Sequence, residues 1–173
     1  LKDELAKSIE GLGKGMSFTV IFFSSRAWHI ATEGPDYVGN GWNGLGNTPP
    51  CNWYPATEHI KKQVIGQVRS MPSDGGTSWY PGLKMALSMN PPPSIVYLLS
   101  DGEPRDGENV LFNLKELNPM GTPIDTIAFE LPGTPAGLLL EISQNTGGRF
   151  SMVYKGDLKT GRAAEALTNP KFD

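Results

Sequence analysis

The chain has 173 residues, 38% of them hydrophobic and 19% charged, and a formal net charge of −3. That supplies apolar material for one sizeable core but little for two, so a single domain spanning 1–173 is expected. The weak negative charge and the lack of any lysine or arginine run argue against nucleic acid as a partner, and no apolar stretch is long enough to insert across a bilayer. Cys51 is the lone cysteine, so an internal disulfide is impossible and the redox compartment stays open. Of the compartments, the cell surface or periplasm is favoured over the cytoplasm. Leu1 is not an initiator methionine and the first residues lack the apolar core of a signal peptide, so the chain is expected to be a piece of something longer.

Leu1, Leu5, Ile9 and Leu12 recur at helical spacing among charged residues and predict an amphipathic helix stopped by Gly13 and Gly15. Ser17 to Phe23 is almost continuously apolar or β-branched, the pattern of a central parallel strand covered on both faces. The tight turn at Ser24-Ser25-Arg26 then admits only an antiparallel neighbour, so Ala27–Thr32 is expected at the edge of the sheet. From about 33 to 56 the periodicity vanishes into glycines, prolines and aromatics, which predicts an elaborated loop. Thr57 is placed to cap a helix whose buried face is Ile60, Val64, Val68 and Met71, ended by Pro72.

Pro81 suits the first turn of a further short helix, and Pro91-Pro92-Pro93 forces an extended entry into a strand over 94–100. Val110, Leu114 and Leu117 mark another helix, Pro123–Phe129 a strand, and Ala136–Thr146 a helix closed by Gly147-Gly148. Arg149–Val153 is expected to be the last strand, with 156–173 a weakly patterned tail. Alternating strands and helices predict an α/β, Rossmann-like fold: a doubly wound, mostly parallel sheet with one short antiparallel edge strand and helices on both faces. A crossover helix normally follows a strand, so a strand is expected before Leu1.

The strand Ser94–Ser100 delivers Asp101 to a tight turn at its carboxyl end, where ligands gather in open α/β sheets. Asp74-Gly75-Gly76-Thr77 places a hydroxyl on a second glycine-loosened turn. Together they suggest a hard-cation site of oxygen ligands. Each residue also has a structural reading: Asp101 caps a helix starting near Glu108 or braces its own turn, and Asp74 forms a turn. Ser100 either joins the site or satisfies local backbone, and Glu103 and Asp106 either hold a second cation or form a solvated acidic loop.

Phe18 to Ser24, Gly75-Gly76-Thr77, Leu98 to Pro104 and Thr146 to Phe150 resemble successive blocks of a von Willebrand factor type A (vWA) domain. The resemblance covers most of the chain. It implies a metal-ion-dependent adhesion site holding Mg²⁺, with Mn²⁺ or Ca²⁺ as alternatives. Thr77 matches the family's threonine ligand and Asp101 its aspartate, which often reaches the ion through water. The family's Asp-x-Ser-x-Ser loop follows a first strand in the middle of the sheet, and neither is in this sequence. With a single formal charge opposing a divalent ion, weak or undetectable binding by this chain alone is expected. Asp74, Ser78, Ser100 and Glu103 would orient the ligands without touching the ion.

Tyr37, Trp42, Trp53, Tyr54, Trp79 and Tyr80 form either a recognition surface near the ion or a cover for the edge of the sheet. Enzyme signals fail. Gly39, Gly41 and Gly44 have dinucleotide-binding spacing but do not join a strand to a helix, and Lys159-Thr160-Gly161 lacks the Ser-x-x-Lys partner of β-lactamases. The expected function is non-enzymatic capture of a protein partner's acidic side chain through the cation. The alternatives are a metal-dependent hydrolase or phosphoryl-transfer domain and a metal-free scaffold domain in an oligomer.

Overall fold

A computed structural model of the chain describes residues 1–31, 37–72 and 75–172. Helix α1 (Lys2–Glu10) buries Ala6 and Ile9, the residues its amphipathic spacing selects. Helix α2 (Glu58–Ser70) opens on Thr57, whose hydroxyl accepts from the Ile60 N–H at 3.4 Å. The two pack together, and the buried Lys61 ammonium donates to the Glu10 carbonyl at 2.9 Å, closing the end of α1. Their apolar faces join Phe18, Val20, Ile30 and Tyr54 in one core.

The apolar run Ser17–Phe23 is two strands, not one. Strand β1 (Ser17–Phe18) pairs with β5 (Tyr54–Pro55), whereas β2 (Ile21–Phe23) pairs antiparallel with β3 (Ala27–Ile30), so the chain changes partners at Thr19-Val20. Its two-sided apolar character has another cause than burial in a parallel sheet. Phe22 packs against the α1–α2 core and Phe23 against a second core on the other side. The expected edge strand β3 is an inner strand, because β4 (Tyr37–Trp42) pairs outside it. The segment 33–56 thus carries two strands, β4 and β5, that its glycines and prolines conceal.

Helix α3 (Tyr80–Leu87) packs on β2, β3 and β6 (Val96–Ser100). Strands β6, β7 (Ile124–Phe129) and β8 (Phe150–Tyr154) run parallel in register, and β9 (Asp157–Thr160) adds an antiparallel edge. Leu98, Ile124, Ala128, Phe150 and Met152 form the second core with α3 and α6 (Thr134–Thr146). The α/β class and the mostly parallel sheet therefore hold, while among the described residues hydrogen bonding divides the strands into three ladders: β1-β5, β2-β3-β4 and β6-β7-β8-β9.

Two further segments depart from expectation. The helix over 107–117 breaks into α4 (Gly107–Phe112) and α5 (Leu114–Leu117) at Asn113, whose side-chain amide donates back to the Asn109 carbonyl at 2.9 Å and competes with helix continuation. The tail beyond 155 is built: β9 pairs with β8, helix α7 (Gly161–Glu165) packs on both and buries Ala164, and a 3₁₀ turn at Ala166–Thr168 packs on α6, the Gly133 N–H donating to the Leu167 carbonyl at 2.7 Å.

Partial burial pushes the Cys51 thiol up to about 12. In the unfolded chain the thiol ionises near its ordinary value of 9.0, so the native state loses stability as pH rises above that point. We expect Cys51→Ala to flatten the decline in urea midpoint between about pH 9 and 11, and the native thiol to resist Ellman's reagent at pH 8 until urea is added. Rapid labelling of the native chain would contradict this.

Candidate functional site

Three turns converge at the carboxyl ends of β2 and β6. The Ser78 N–H donates to the Ser24 carbonyl at 2.8 Å, the Gly76 N–H to the Ser25 hydroxyl at 3.3 Å, and the Arg105 N–H to the Thr77 carbonyl at 2.9 Å. The loop before α3 is thereby stitched to the β2–β3 turn on one side and to the loop after β6 on the other. Thr77 lies directly on the residue after Asp101: a methyl group built on Gly102 would meet the Thr77 hydroxyl oxygen at 2.3 Å. Gly102 is therefore the residue that permits the approach. Thr77 is half-buried and Asp101 exposed, so both line an open rim.

Ser100 is a brace. Its hydroxyl is buried, accepts from the Trp79 indole N–H at 3.1 Å and donates to the Gly102 carbonyl at 3.2 Å. Ser78 contributes its backbone N–H to the β2–β3 turn. Glu103 is exposed beside Asp101, and Asp74 lies outside the described residues. Asp101 does not cap the helix near Glu108. Asp106, read from sequence as a solvated acid or second cation ligand, instead receives the Trp79 and Tyr80 N–H groups at 2.8 and 3.0 Å and closes the start of α3. Its distance in sequence from α3 hid that role.

The aromatic set divides. Trp79 is wholly buried in the second core and is withdrawn from any recognition surface. Tyr54 is also buried, its hydroxyl donating to the Ile30 carbonyl at 3.2 Å. Trp53 and Trp42 are half-buried pins, their indole N–H groups donating to the Pro91 carbonyl at 2.9 Å and the Leu45 carbonyl at 2.6 Å. Tyr80 remains half-buried, with the Lys84 ammonium 3.0 Å from its hydroxyl. The Tyr37 side chain lies outside the described residues.

Sequence reasoning missed Arg105. Gly76 leaves room for its guanidinium, whose Cζ would stand 2.9 Å from a methyl group there, so an exposed cation overlies the Thr77 loop. Glu103, Arg105, Glu108 and Leu138 help line an adjoining open cleft of about 350 Å³.

The fold as a whole is similar to that of a known solved structure. Von Willebrand factor type A from Catenulispora acidiphila superposes with a TM-score of 0.64 over 96% of this chain, at 18% identity. The fold is vWA-like. This chain spans 35% of the length of that solved chain. No family model matches the sequence, and no curated protein does.

In the vWA-like fold the rim offers Thr77, Ser24 and Ser25 as hydroxyl donors and Asp101 as the carboxylate. These hard oxygens suit a cation such as Mg²⁺ in kind. Their charge is small, and among the described residues no three His, Cys, Asp or Glu side chains cluster as ligands. The donor set thus fits part of a six-coordinate shell.

Proposed function

We propose that the chain is a non-enzymatic protein-binding module that captures an acidic side chain of its partner at the Thr77–Asp101 rim. The observation that supports this reading is the contact between Thr77 and Gly102, which brings the Thr77 hydroxyl against the turn that carries Asp101. Thr77 and Asp101 would hold the ion, and a bound Mg²⁺, Mn²⁺ or Ca²⁺ supplies an electrophile that a partner's carboxylate can complete. Ser100 and Gly102 keep the Asp101 turn tight, and Asp106 anchors α3 beneath it. Exposure of Asp101 leaves most of the shell to water, so affinity is weak.

Among the described residues, no histidine stands at the rim. His29 is buried in β3 with its Nδ1 2.8 Å from the Ile30 carbonyl, and His59 is exposed in the first turn of α2. That favours capture over hydrolysis or phosphoryl transfer. Arg105 favours a second, metal-free route to the same outcome, since a guanidinium pairs with a carboxylate directly.

The test is a Mn²⁺ titration followed by electron paramagnetic resonance, with a glutamate-containing peptide as the acidic probe. We expect weak Mn²⁺ uptake that Asp101→Ala reduces by about tenfold or more with the circular dichroism unchanged, and peptide retention that EDTA abolishes and Mg²⁺ restores. Retention indifferent to EDTA but lost in Arg105→Ala would replace the ion with the guanidinium. Equal Mn²⁺ uptake by the parent, Asp101→Ala and Thr77→Ala would end the metal reading.

A further inference from the structure

Gly76 is a glycine that its own backbone does not require. It is not among the glycines with a left-handed φ, so conformation alone would admit a side chain there. What excludes one is its surroundings: a methyl group on Gly76 would stand 2.9 Å from the Arg105 Cζ, 3.0 Å from its Nη2 and 3.0 Å from the Ser25 hydroxyl. The glycine is therefore a seat for the guanidinium, beside the Ser25 hydroxyl and on the loop that carries Thr77.

The root of the Arg105 side chain is fixed as well. Pro104 precedes it with a locked φ, and its own N–H donates to the Thr77 carbonyl at 2.9 Å. Asp106 follows, with one carboxylate oxygen on the Trp79 N–H and the other on the Tyr80 N–H. An arginine held at its root and seated at its tip has less rotamer freedom to lose when a ligand arrives. Such a cation is prepared for recognition rather than left to drift in solvent.

The charges around it restrict what it can accept. Arg105 is exposed and lines the open cleft of about 350 Å³ together with Glu103 and Glu108, which are exposed too. Among the described residues neither glutamate forms an ion pair with it. A guanidinium offers parallel N–H donors that match the plane of one carboxylate. Two glutamates within the same cleft repel any negative charge beyond that one, since charges this close are only partly screened at a Debye length of about 8 Å.

We propose that Arg105, seated on Gly76, selects the partner: it donates to a single, isolated carboxylate, while Glu103 and Glu108 turn away segments with several acids or a phosphate. The proposal rests on the rim being where the acidic side chain docks, and it adds which acidic segments are accepted. A purely basic patch behaves in the opposite way, attracting a ligand more strongly with each added negative charge.

The probes are terminally blocked, rhodamine-labelled peptides of alanine and glycine with one glutamate, one glutamine, three successive glutamates or one phosphoserine at the centre. Each is titrated into the 173-residue chain with Mg²⁺ and again with EDTA. We expect the single-glutamate peptide to bind best, the triglutamate and phosphoserine peptides to bind about threefold or more weakly, and the glutamine peptide to fail. Arg105→Ala should cost the single-glutamate peptide about tenfold with the circular dichroism unchanged. Gly76→Ala should bring a similar loss with the guanidinium still present, because the methyl group takes its seat. Glu103→Gln combined with Glu108→Gln should raise triglutamate affinity about fivefold.

Single-glutamate binding that needs Mg²⁺ but is equal in the parent and Arg105→Ala would overturn the proposal and leave the metal reading intact. Binding that survives EDTA yet falls in Arg105→Ala would end the metal reading and support the role of Arg105. Tighter binding of the triglutamate or phosphoserine peptide by the parent chain would overturn the selection, and failure of every peptide would end both readings.

Discussion

Gly148→Ala is expected to lower stability by about 3 kcal/mol or more, with a fall in melting temperature of about 10 °C. A methyl group at Gly148 would lie 2.0 Å from the Ile124 carbonyl oxygen, 2.4 Å from its carbon and 2.9 Å from the Asp125 nitrogen. All three are backbone atoms at the start of β7, and they are held from several sides. Ile124 accepts no displacement towards β6, with whose Val96 it is in register, and its N–H donates to the Thr146 hydroxyl at 3.1 Å. The Thr126 N–H donates to the Arg149 carbonyl at 2.8 Å. The buried Asp125 carboxylate receives the Arg149 N–H at 2.8 Å and its guanidinium at 3.0 and 3.2 Å. Relief of the clash must break one of these contacts.

Gly147, its neighbour, provides the control. Its φ of 74° is left-handed, and no atom lies within 4 Å of a methyl group there. Asparagine tolerates that conformation, so Gly147→Asn should cost about 1 kcal/mol or less. Urea titrations of the two variants separate the roles. A Gly148→Ala chain within about 1 kcal/mol of the parent would show that the β7 backbone yields more readily than its hydrogen bonds indicate.

The Gly-Gly pair was visible in the sequence as a helix stop, and that part of its role is the local one. Signals of this kind transferred well: Thr57 caps α2, Pro72 follows its end, and the alternating strand-helix order produces the parallel ladder of β6, β7 and β8. They depend on neighbours in the chain. Long-range pairing was harder to read. The run Ser17–Phe23 is apolar because it lies between two cores, a pattern indistinguishable by composition from a strand inside a parallel sheet. Strand β4 escaped because Tyr-Val-Gly-Asn-Gly-Trp alternates aromatics and glycines rather than aliphatics.

The site followed the same division. Thr77 and Asp101 were legible from their turns, and the hydrogen bonds of Ser24, Ser25 and Arg105 place those turns at one rim. Asp106 and Arg105 were not legible, since their partners are the first residues of α3 and Gly76, more than twenty residues away. Trp79 was the misleading case. Beside the threonine turn its indole suggested a contact surface, yet the side chain turns inward, where the Ser100 hydroxyl offers its N–H a buried acceptor.

That inward turn gives Trp79→Ala an expected cost of about 3–5 kcal/mol, the range for truncating a fully buried aromatic. The indole closes against Gly107 and fills the space between α3, β6 and α4, so little backbone can collapse into the vacancy. Trp79→Phe retains much of the apolar volume but leaves the Ser100 hydroxyl without its donor, and should cost about 1–2 kcal/mol. The consequence reaches the rim through two bonds. The indole N–H holds the Ser100 hydroxyl, which in turn holds the Gly102 carbonyl, so loss of the side chain loosens the Asp101 turn. Trp79→Phe, which should remain folded, is therefore expected to weaken Mn²⁺ uptake several-fold although Trp79 touches no ion. Uptake equal to the parent's in a folded Trp79→Phe chain would show that the Asp101 turn holds its shape without the buried indole beneath it.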